Sequence, residues 1–462
     1  MTTVIETCRI PPPQGVAAEL FLPLSFFDMS YLDSNPMYVL NLYNHPCSEA
    51  EFSNTIVPNL KHSLSLTLQH YLPVAGNLLY PLHTDTDASK PVLRYISGDT
   101  VALTIAISSL DFNDLVANHA READQFYDLV QPRAPLAEEE NYKIAPVISL
   151  QATLFPGRGI CIGVNFHHSL CDWRSIVGFV KAWAMVNKSG DDEALGESPP
   201  VFEKPDSEAS RRVHGIFWNA MKKIPFKTVV PLPRPTNKVR ASFILRQFDI
   251  KNLKHRFLSA RPSLDRVSTF TVAAGYIWTT LVKSHGSSAE DKHEVFYFPA
   301  DARGRQNALF DPPVPVNYFG NCLGGGLVKL EQRKLAGNDG FVVAAEAIGD
   351  VIKAKIYDGD EFLKRPEDRL GKIDESVVGV LAVYGSIKFE CKEADFGWGV
   401  ARKVEMLSLD REVLIGMLMS NSGDGGLVID LSLPKERMES FASIFQDGLT
   451  VLEKIMDVIH KT

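Results

Sequence analysis

Seven prolines (Pro199, Pro200, Pro205, Pro225, Pro231, Pro233 and Pro235) interrupt a polar, charged stretch of this 462-residue chain. No other feature limits its possible folds so strongly. Proline fixes φ and lacks an amide donor, so a run this dense neither continues a helix nor lies in a central strand. The stretch reads as a long crossover. It divides the chain into a first lobe at 1–198, a linker at 199–235 and a second lobe at 236–462. A short helix from about Arg212 to Lys222 fits inside it.

Within the first lobe, Leu60, Leu64, Leu68 and Leu72 repeat every four residues behind Pro58, the pattern of an amphipathic helix that Pro73 stops. Val92–Ile96 and Val101–Ile107 read as strands. Val147–Phe155 and Ile160–Phe166 read as two more, joined by the turn Pro156-Gly157-Arg158-Gly159. After Asp172, Ile176, Phe179, Val180 and Trp183 share one helix face. The second lobe opens on a strand at Ala241–Phe248. A helix over Thr269–Ser284, a strand over Val295–Phe298 and a helix over Phe341–Ile356 follow. Strands near Gly379–Val383, Lys403–Leu407 and Leu427–Leu433 precede a closing helix from Lys435. Strands and helices alternate irregularly in both lobes, so the fold class is α/β, mixed α+β.

The formal net charge is -8 and no basic stripe is present, which argues against a nucleic-acid partner. Six scattered cysteines form no CxxC pair, which fits reduced, buried thiols better than a disulfide framework or a zinc site. No signal peptide and no run of 18 apolar residues is read, so the expected setting is the cytoplasm, without membrane contact.

Chemistry is concentrated in His168-Ser169-Leu170-Cys171-Asp172, at a strand-to-helix junction. A histidine with an aspartate four residues on is common by chance. Asp395-Phe396-Gly397-Trp398-Gly399, more than two hundred residues downstream, is not: such a string arises in roughly one chain in ten thousand or fewer. Together the two motifs resemble the signature of the plant BAHD acyltransferases, which move an acyl group from coenzyme A to an alcohol or amine. Tyr318-Phe319-Gly320-Asn321-Cys322 is similar to a motif of the subgroup acting on anthocyanin and other flavonoid glucosides. Tyr71–Gly76 and Ser268-Thr269-Phe270 with Trp278 are further landmarks. The resemblance spans nearly the whole chain and implies a two-lobed chloramphenicol acetyltransferase-like fold, each lobe a mixed sheet flanked by helices.

Transfer from a thioester to a hydroxyl needs a base for the hydroxyl proton and donors for the carbonyl oxygen. His168 is the candidate base; adjacent residues of a strand face opposite ways, which sets it apart from His167. Asp172 would either orient that ring or cap the next helix and pair with an arginine; the latter is favoured, and the resemblance points the same way. Arg303 or Arg305 is the candidate partner. Cys171 is read as packing rather than as an acyl carrier.

The resemblance also implies a structural second motif, with Asp395 paired to a basic residue and with Gly397 and Gly399 allowing close backbone approach. Trp398 either lines the channel near the thioester or simply packs. Asn321 and Tyr318 are candidate contacts to the thioester oxygen or the acceptor. Ser268 and Thr269 open a helix and suit coenzyme A, unless they only cap it, and Lys238 and Arg240 are candidates for its phosphates. Arg174, two residues past Asp172, would pair with the carboxylate of a malonyl group. Trp173, where a small residue is frequent, and a few extra residues between Arg305 and Asp311 are departures from the family.

The resulting expectation is a monomeric acyltransferase with malonyl-CoA as co-substrate and a phenolic glucoside as acceptor, needing neither a metal nor a resident cofactor. The alternatives are a hydroxycinnamoyl transferase on the same acceptors, or a non-catalytic binder of phenolic ligands. A serine hydrolase lacks its Gly-x-Ser-x-Gly elbow, and no complete dinucleotide or phosphate-loop motif occurs.

Overall fold

A computed structural model describes residues 1–83, 90–139, 141–205, 207–224, 226, 234–286, 292–305, 309–357, 376–384, 391–410, 415–421 and 425–459. The extra residues ahead of Pro312 and several linker prolines lie largely outside these. Among the described residues three sheets form. A six-stranded sheet runs in the order Thr2–Ile10, Val101–Ser108, Ile148–Phe155, Gly159–Phe166, Met37–Tyr43, Lys403–Met406. A seven-stranded sheet runs Leu323–Glu331, His293–Asp301, Val377–Tyr384, Ile415–Asn421, Leu427–Pro434, Lys238–Leu245, Arg121–Glu122. A five-stranded sheet is built from first-lobe strands alone.

The strands Ile148–Phe155 and Gly159–Phe166 pair antiparallel and are buried at every position, which their nearly unbroken apolar sequence requires of strands covered on both faces. The helix Trp173–Ser189 follows directly. Its apolar face, including Ile176, Phe179, Val180 and Trp183, is buried, and it packs on the helix Val57–His70. Leu60, Leu64 and Leu68 of that partner helix are fully buried, and the Trp183 indole donates to the Leu60 carbonyl at 3.2 Å.

Two expectations change. Phe248 is not in a strand: the strand ends at Leu245 and a helix runs Gln247–Ala260, nucleated where Asp249 closes a cap on the Arg246 amide at 2.8 Å. The lobe boundary is also not a clean cut. Lys403–Met406 leaves the second half to become an edge strand of the first-half sheet, pairing with Met37–Tyr43. In exchange Arg121–Glu122 joins the second-half sheet beside Lys238–Leu245.

A buried charge network seals this exchange. Glu405 accepts from Arg121 at 2.8 Å and from Arg240 at 2.9 Å, and Arg240 also reaches Asp410 at 2.6 Å and the Met406 carbonyl at 2.7 Å. Arg240 is 1% exposed, so it is not available to a coenzyme A phosphate. Its sequence pattern, a cation beside the crossover, is that of a surface ligand group, whereas its role is to neutralise carboxylates between the halves. Burial opposes the Glu405 charge, yet Arg240 and Arg121 outweigh it and hold that carboxyl low; Asp410, where burial dominates, is pushed up.

Replacing Arg240 with Ala leaves Glu405 and Asp410 buried without their shared cation. Denaturant unfolding is expected to lose about 3–5 kcal/mol, far beyond the ~1 kcal/mol of an exposed ion pair.

Candidate active site

The strand Gly159–Phe166 ends as it reaches the second half of the chain, and the two histidines there diverge. His167 continues the ladder, its amide donating to the Val147 carbonyl at 2.8 Å. Its ring is 4% exposed and Nδ1 accepts the Ser169 amide at 3.1 Å. Burial first, then the charges of Arg133 and His168, hold its pKa well below 6.5, so it stays neutral. His168 is half-buried, with the Tyr31 ring stacked on it at 3.7 Å.

Asp172 combines both structural roles. As N-cap of the helix Trp173–Ser189 it accepts the Ser175 amide at 3.1 Å. Its other oxygen accepts the Cys322 amide at 3.0 Å and pairs with Arg303 at 2.9 Å, both side chains fully buried. Arg303, rather than Arg305, is therefore the partner. Arg305 instead donates to the Asp301 and Ile356 carbonyls. Every part of the Arg303 fork is engaged: Nε donates to the Tyr318 carbonyl at 2.9 Å, NH1 also meets Asp301 at 2.9 Å, and NH2 donates to Ser175 Oγ at 3.0 Å and the Gly320 carbonyl at 2.8 Å. Burial disfavours its charge, but Asp172 and Asp301 more than offset this and raise its pKa.

The Tyr318–Cys322 segment is thereby fixed under His168. Asn321 is fully buried, and its amide nitrogen is committed to Asp28 Oδ1 at 3.0 Å and the His168 carbonyl at 2.8 Å. It braces the histidine turn and is not a donor aimed at a thioester. Tyr318 is also buried, its ring between Lys204 at 4.5 Å and Arg303 at 5.5 Å. Gly320 has φ 147°, and a Cβ there would fall 2.2 Å from the Tyr318 hydroxyl, so only glycine fits. A cavity of about 30 Å³, room for one water, lies between this segment, Asp28 and Leu170.

Arg174, in the first turn of the helix, is about one-third exposed, bonds to Asp301 at 2.6 Å and donates to the Val316 carbonyl at 2.8 Å. Trp173 is half-buried against the core. Cys171 is fully buried, which pushes its thiol well above its usual range and removes it as a nucleophile.

The Asp395–Gly399 motif sits at the other end of the same helix. Asp395 pairs with Lys188 at 2.6 Å, and its other oxygen accepts the amides of Gly397 at 2.9 Å and Gly399 at 2.7 Å. With these bonds, Lys188 foremost, the Asp395 carboxyl lies below its ordinary range. Both glycines have positive φ, 94° and 81°, while nothing stands within 4 Å of an added Cβ. Backbone handedness, not close approach, is what excludes other residues there. Sixteen helical residues separate Asp172 from Lys188, about 24 Å at 1.5 Å each. Trp398, stacked on Phe396 at 5.1 Å and on His45 at 5.6 Å, accordingly packs far from His168 and does not line the site.

Ser268 caps the helix Thr269–Lys283 by accepting the Thr271 amide at 3.0 Å, and stands exposed. Lys238 donates to the Asp410 carbonyl at 3.1 Å. Asp28, Tyr31, Lys188 and Lys204 were not singled out in the sequence. Ser25-Phe26-Phe27-Asp28 carries the one available signal, a capping-box spacing, and the box is formed.

A model of the Transferase family matches residues 1–447. The chain is 47% identical to a malonyl-coenzyme:anthocyanin 5-O-glucoside-6'''-O-malonyltransferase from Salvia splendens, over 97% of this chain and 96% of that protein. It is 37% identical to a malonyl-coenzyme A:anthocyanin 3-O-glucoside-6''-O-malonyltransferase from Dahlia pinnata, over 97% of each. A coumaroyl-CoA:anthocyanidin 3-O-glucoside-6''-O-coumaroyltransferase from Arabidopsis thaliana is 32% identical over 96% of this chain and 97% of that protein. Among solved structures, vinorine synthase superposes with a TM-score of 0.65 at 18% identity, covering 95% of this chain and 96% of that one. TRI101 from F. sporotrichioides, complexed with coenzyme A and T-2, gives 0.60 at 19%, covering 92% and 97%.

The two aspartates should differ in cost. Asp172→Ala removes a cap worth ~1 kcal/mol and takes from the buried Arg303 its fully buried carboxylate partner, leaving only Asp301, a total of about 3–5 kcal/mol. Asp395→Ala removes a part-exposed ion pair and two amide bonds, about 1–3 kcal/mol. Melting temperatures of the two variants check the order.

Proposed function

Because this chain belongs to the Transferase family of BAHD acyltransferases, we propose that it transfers a malonyl group from malonyl-CoA to a sugar hydroxyl of an anthocyanin or other phenolic glucoside. The observation that carries the reaction type is His168, half-buried where the two halves of the chain meet and braced from both. Its neutral ring takes the proton of the acceptor hydroxyl as that oxygen attacks the thioester carbonyl. The tetrahedral adduct then collapses, the C–S bond breaks, and the proton passes to the departing thiolate of coenzyme A. No covalent acyl-enzyme is needed.

The malonyl donor is supported by the 47% and 37% identical relatives, both malonyltransferases by name. Arg174 is the proposed contact for the malonyl carboxylate. It is only partly buried, and that carboxylate would share its guanidinium with Asp301. For coenzyme A we retain Ser268 and Thr269, at an exposed helix start, with Lys238 beyond them; TRI101, of the same fold, was solved with coenzyme A. The coumaroyl-transferring relative keeps an aromatic acyl donor as the second reading. Small-molecule substrates, a monomeric state and a cytoplasmic setting complete the proposal; among the described residues no helix is long and apolar enough to cross a membrane.

His168→Ala should lower kcat by about two to four orders of magnitude while melting as the parent does. An active variant would remove His168 as the base. Product mass spectrometry with malonyl-CoA and coumaroyl-CoA in competition, on a panel of flavonoid glucosides, should return malonylated product. Arg174→Ala should reduce the malonyl preference by roughly tenfold; an unchanged preference refutes the arginine's role.

A further inference from the structure

The face of the His168 ring is covered by a second ring. Tyr31 lies parallel to it, with 4° between the planes and 3.7 Å between centroids. Phe166 stands obliquely at 6.4 Å, tilted by 54°. Tyr31 comes from a segment more than a hundred residues upstream, so the stack requires that segment to be registered against the histidine turn.

Three contacts provide the registration. Ser169 Oγ, next to His168, donates to the Asp28 carbonyl at 3.1 Å. Asn321 bridges Asp28 Oδ1 at 3.0 Å to the His168 carbonyl at 2.8 Å. The Tyr31 amide in turn donates to the Asp28 carbonyl at 3.1 Å. Asp28 is itself 5% exposed, and its second oxygen takes the Ser25 amide at 2.8 Å, the Ser25 hydroxyl at 2.6 Å and Lys204 at 3.4 Å. The backbone around both rings is thus tied at several points, and the side chains meet face to face as a result.

We propose that Tyr31 is a positioning residue for His168, its flat ring fixing the plane of the imidazole, with the Asp28–Asn321 bridge holding Tyr31 in place. This rests on His168 acting as the base. The terminal torsion of a histidine is broad and only roughly two-fold, so ties to its backbone do not by themselves set the plane of its ring. A base works only within about 2.6–3.2 Å of the proton it takes, and misplacement by about 1 Å can cost about a hundredfold. A parallel aromatic wall removes that freedom at no cost in polarity. Nothing in the sequence around Tyr31 marks it; only the fold brings it to His168.

The test compares three substitutions at one position. Tyr31→Leu keeps apolar bulk but lacks a flat face, Tyr31→Ala removes both, and Tyr31→Phe keeps the face and loses only the hydroxyl. Steady-state kinetics should show kcat lowered roughly ten- to a hundredfold in the Leu and Ala variants, with KM for acyl-CoA and acceptor within about threefold of the parent. The Phe variant should return to within about threefold of the parent kcat. Melting curves identify any variant that fails to fold, and Tyr31→Leu carries the decision if Tyr31→Ala does. A parent-like kcat in Tyr31→Leu, or a raised acceptor KM with unchanged kcat, overturns the positioning role. His168→Ala in the same series separates the premises: residual full turnover there overturns the base itself, whereas its inactivity beside a fully active Tyr31→Leu overturns Tyr31 alone.

Discussion

Everything near His168 is hung on the buried contact between Asp172 and Arg303. A carboxylate and a guanidinium without solvent are costly to bury, and the cost is offset only when each remaining donor and acceptor is filled. Here they are: Asp172 caps the helix and takes the Cys322 amide, and Arg303 closes on Tyr318, Gly320, Ser175 and Asp301. The pair therefore does more than join two side chains. It fixes the start of one helix, the Tyr318–Cys322 segment and the end of the strand His293–Asp301 in one frame, and His168, the proposed base, sits beside that frame.

The second motif acts on the same helix from its far end. Lys188 pairs with Asp395, Asn187 donates to the Phe396 carbonyl at 2.8 Å, Trp183 meets Phe396 edge-on at 5.1 Å, and Lys181 pairs with Glu393. A helix of the first half held at both termini by residues of the second cannot shift along its axis. That explains why two strings so distant in sequence occur together although they meet the helix about 24 Å apart. The strand Lys403–Met406, which follows the second motif, crosses into the first-half sheet and extends the same clamp.

How much of this was legible depended on whether a property is local. The apolar runs at Ile148–Phe155 and Gly159–Phe166, the stripe of Leu60, Leu64 and Leu68 and the capping position of Asp172 all follow from short-range pattern, whereas Leu72 and Pro73 fall in a separate short helix, Leu72–Ala75, after the first ends at His70. The strand exchange did not, because Lys403–Met406 carries nothing in its own residues that names its partner strand. Phe248 was placed in a strand because the apolar pattern runs past Leu245; the Arg246–Asp249 cap that starts the helix is a side-chain event the pattern does not contain. Arg240, Asn321 and Trp398 share another cause. A sequence displays a residue's donors or its ring but not the groups that already occupy them: the Arg240 guanidinium and the Asn321 amide nitrogen are committed within the protein, and the Trp398 ring stacks on Phe396 and His45.

The two adjacent histidines put that distinction to chemical use. His167 and His168 are identical side chains just past the end of one strand, where the chain enters a turn and the two take different surroundings. His167 enters the core, where burial and Arg133 keep it neutral and Ser169 binds its ring nitrogen. Such a ring can accept a proton only at the expense of the interior around it. His168 stops at the boundary, half-buried, with its carbonyl taken by Asn321 and its ring face covered by Tyr31. A base needs a ring that is fixed in place yet able to change charge, and the two demands conflict if fixation comes from hydrogen bonds to both nitrogens. Anchoring through the backbone and through an aromatic face resolves the conflict, since neither consumes a lone pair.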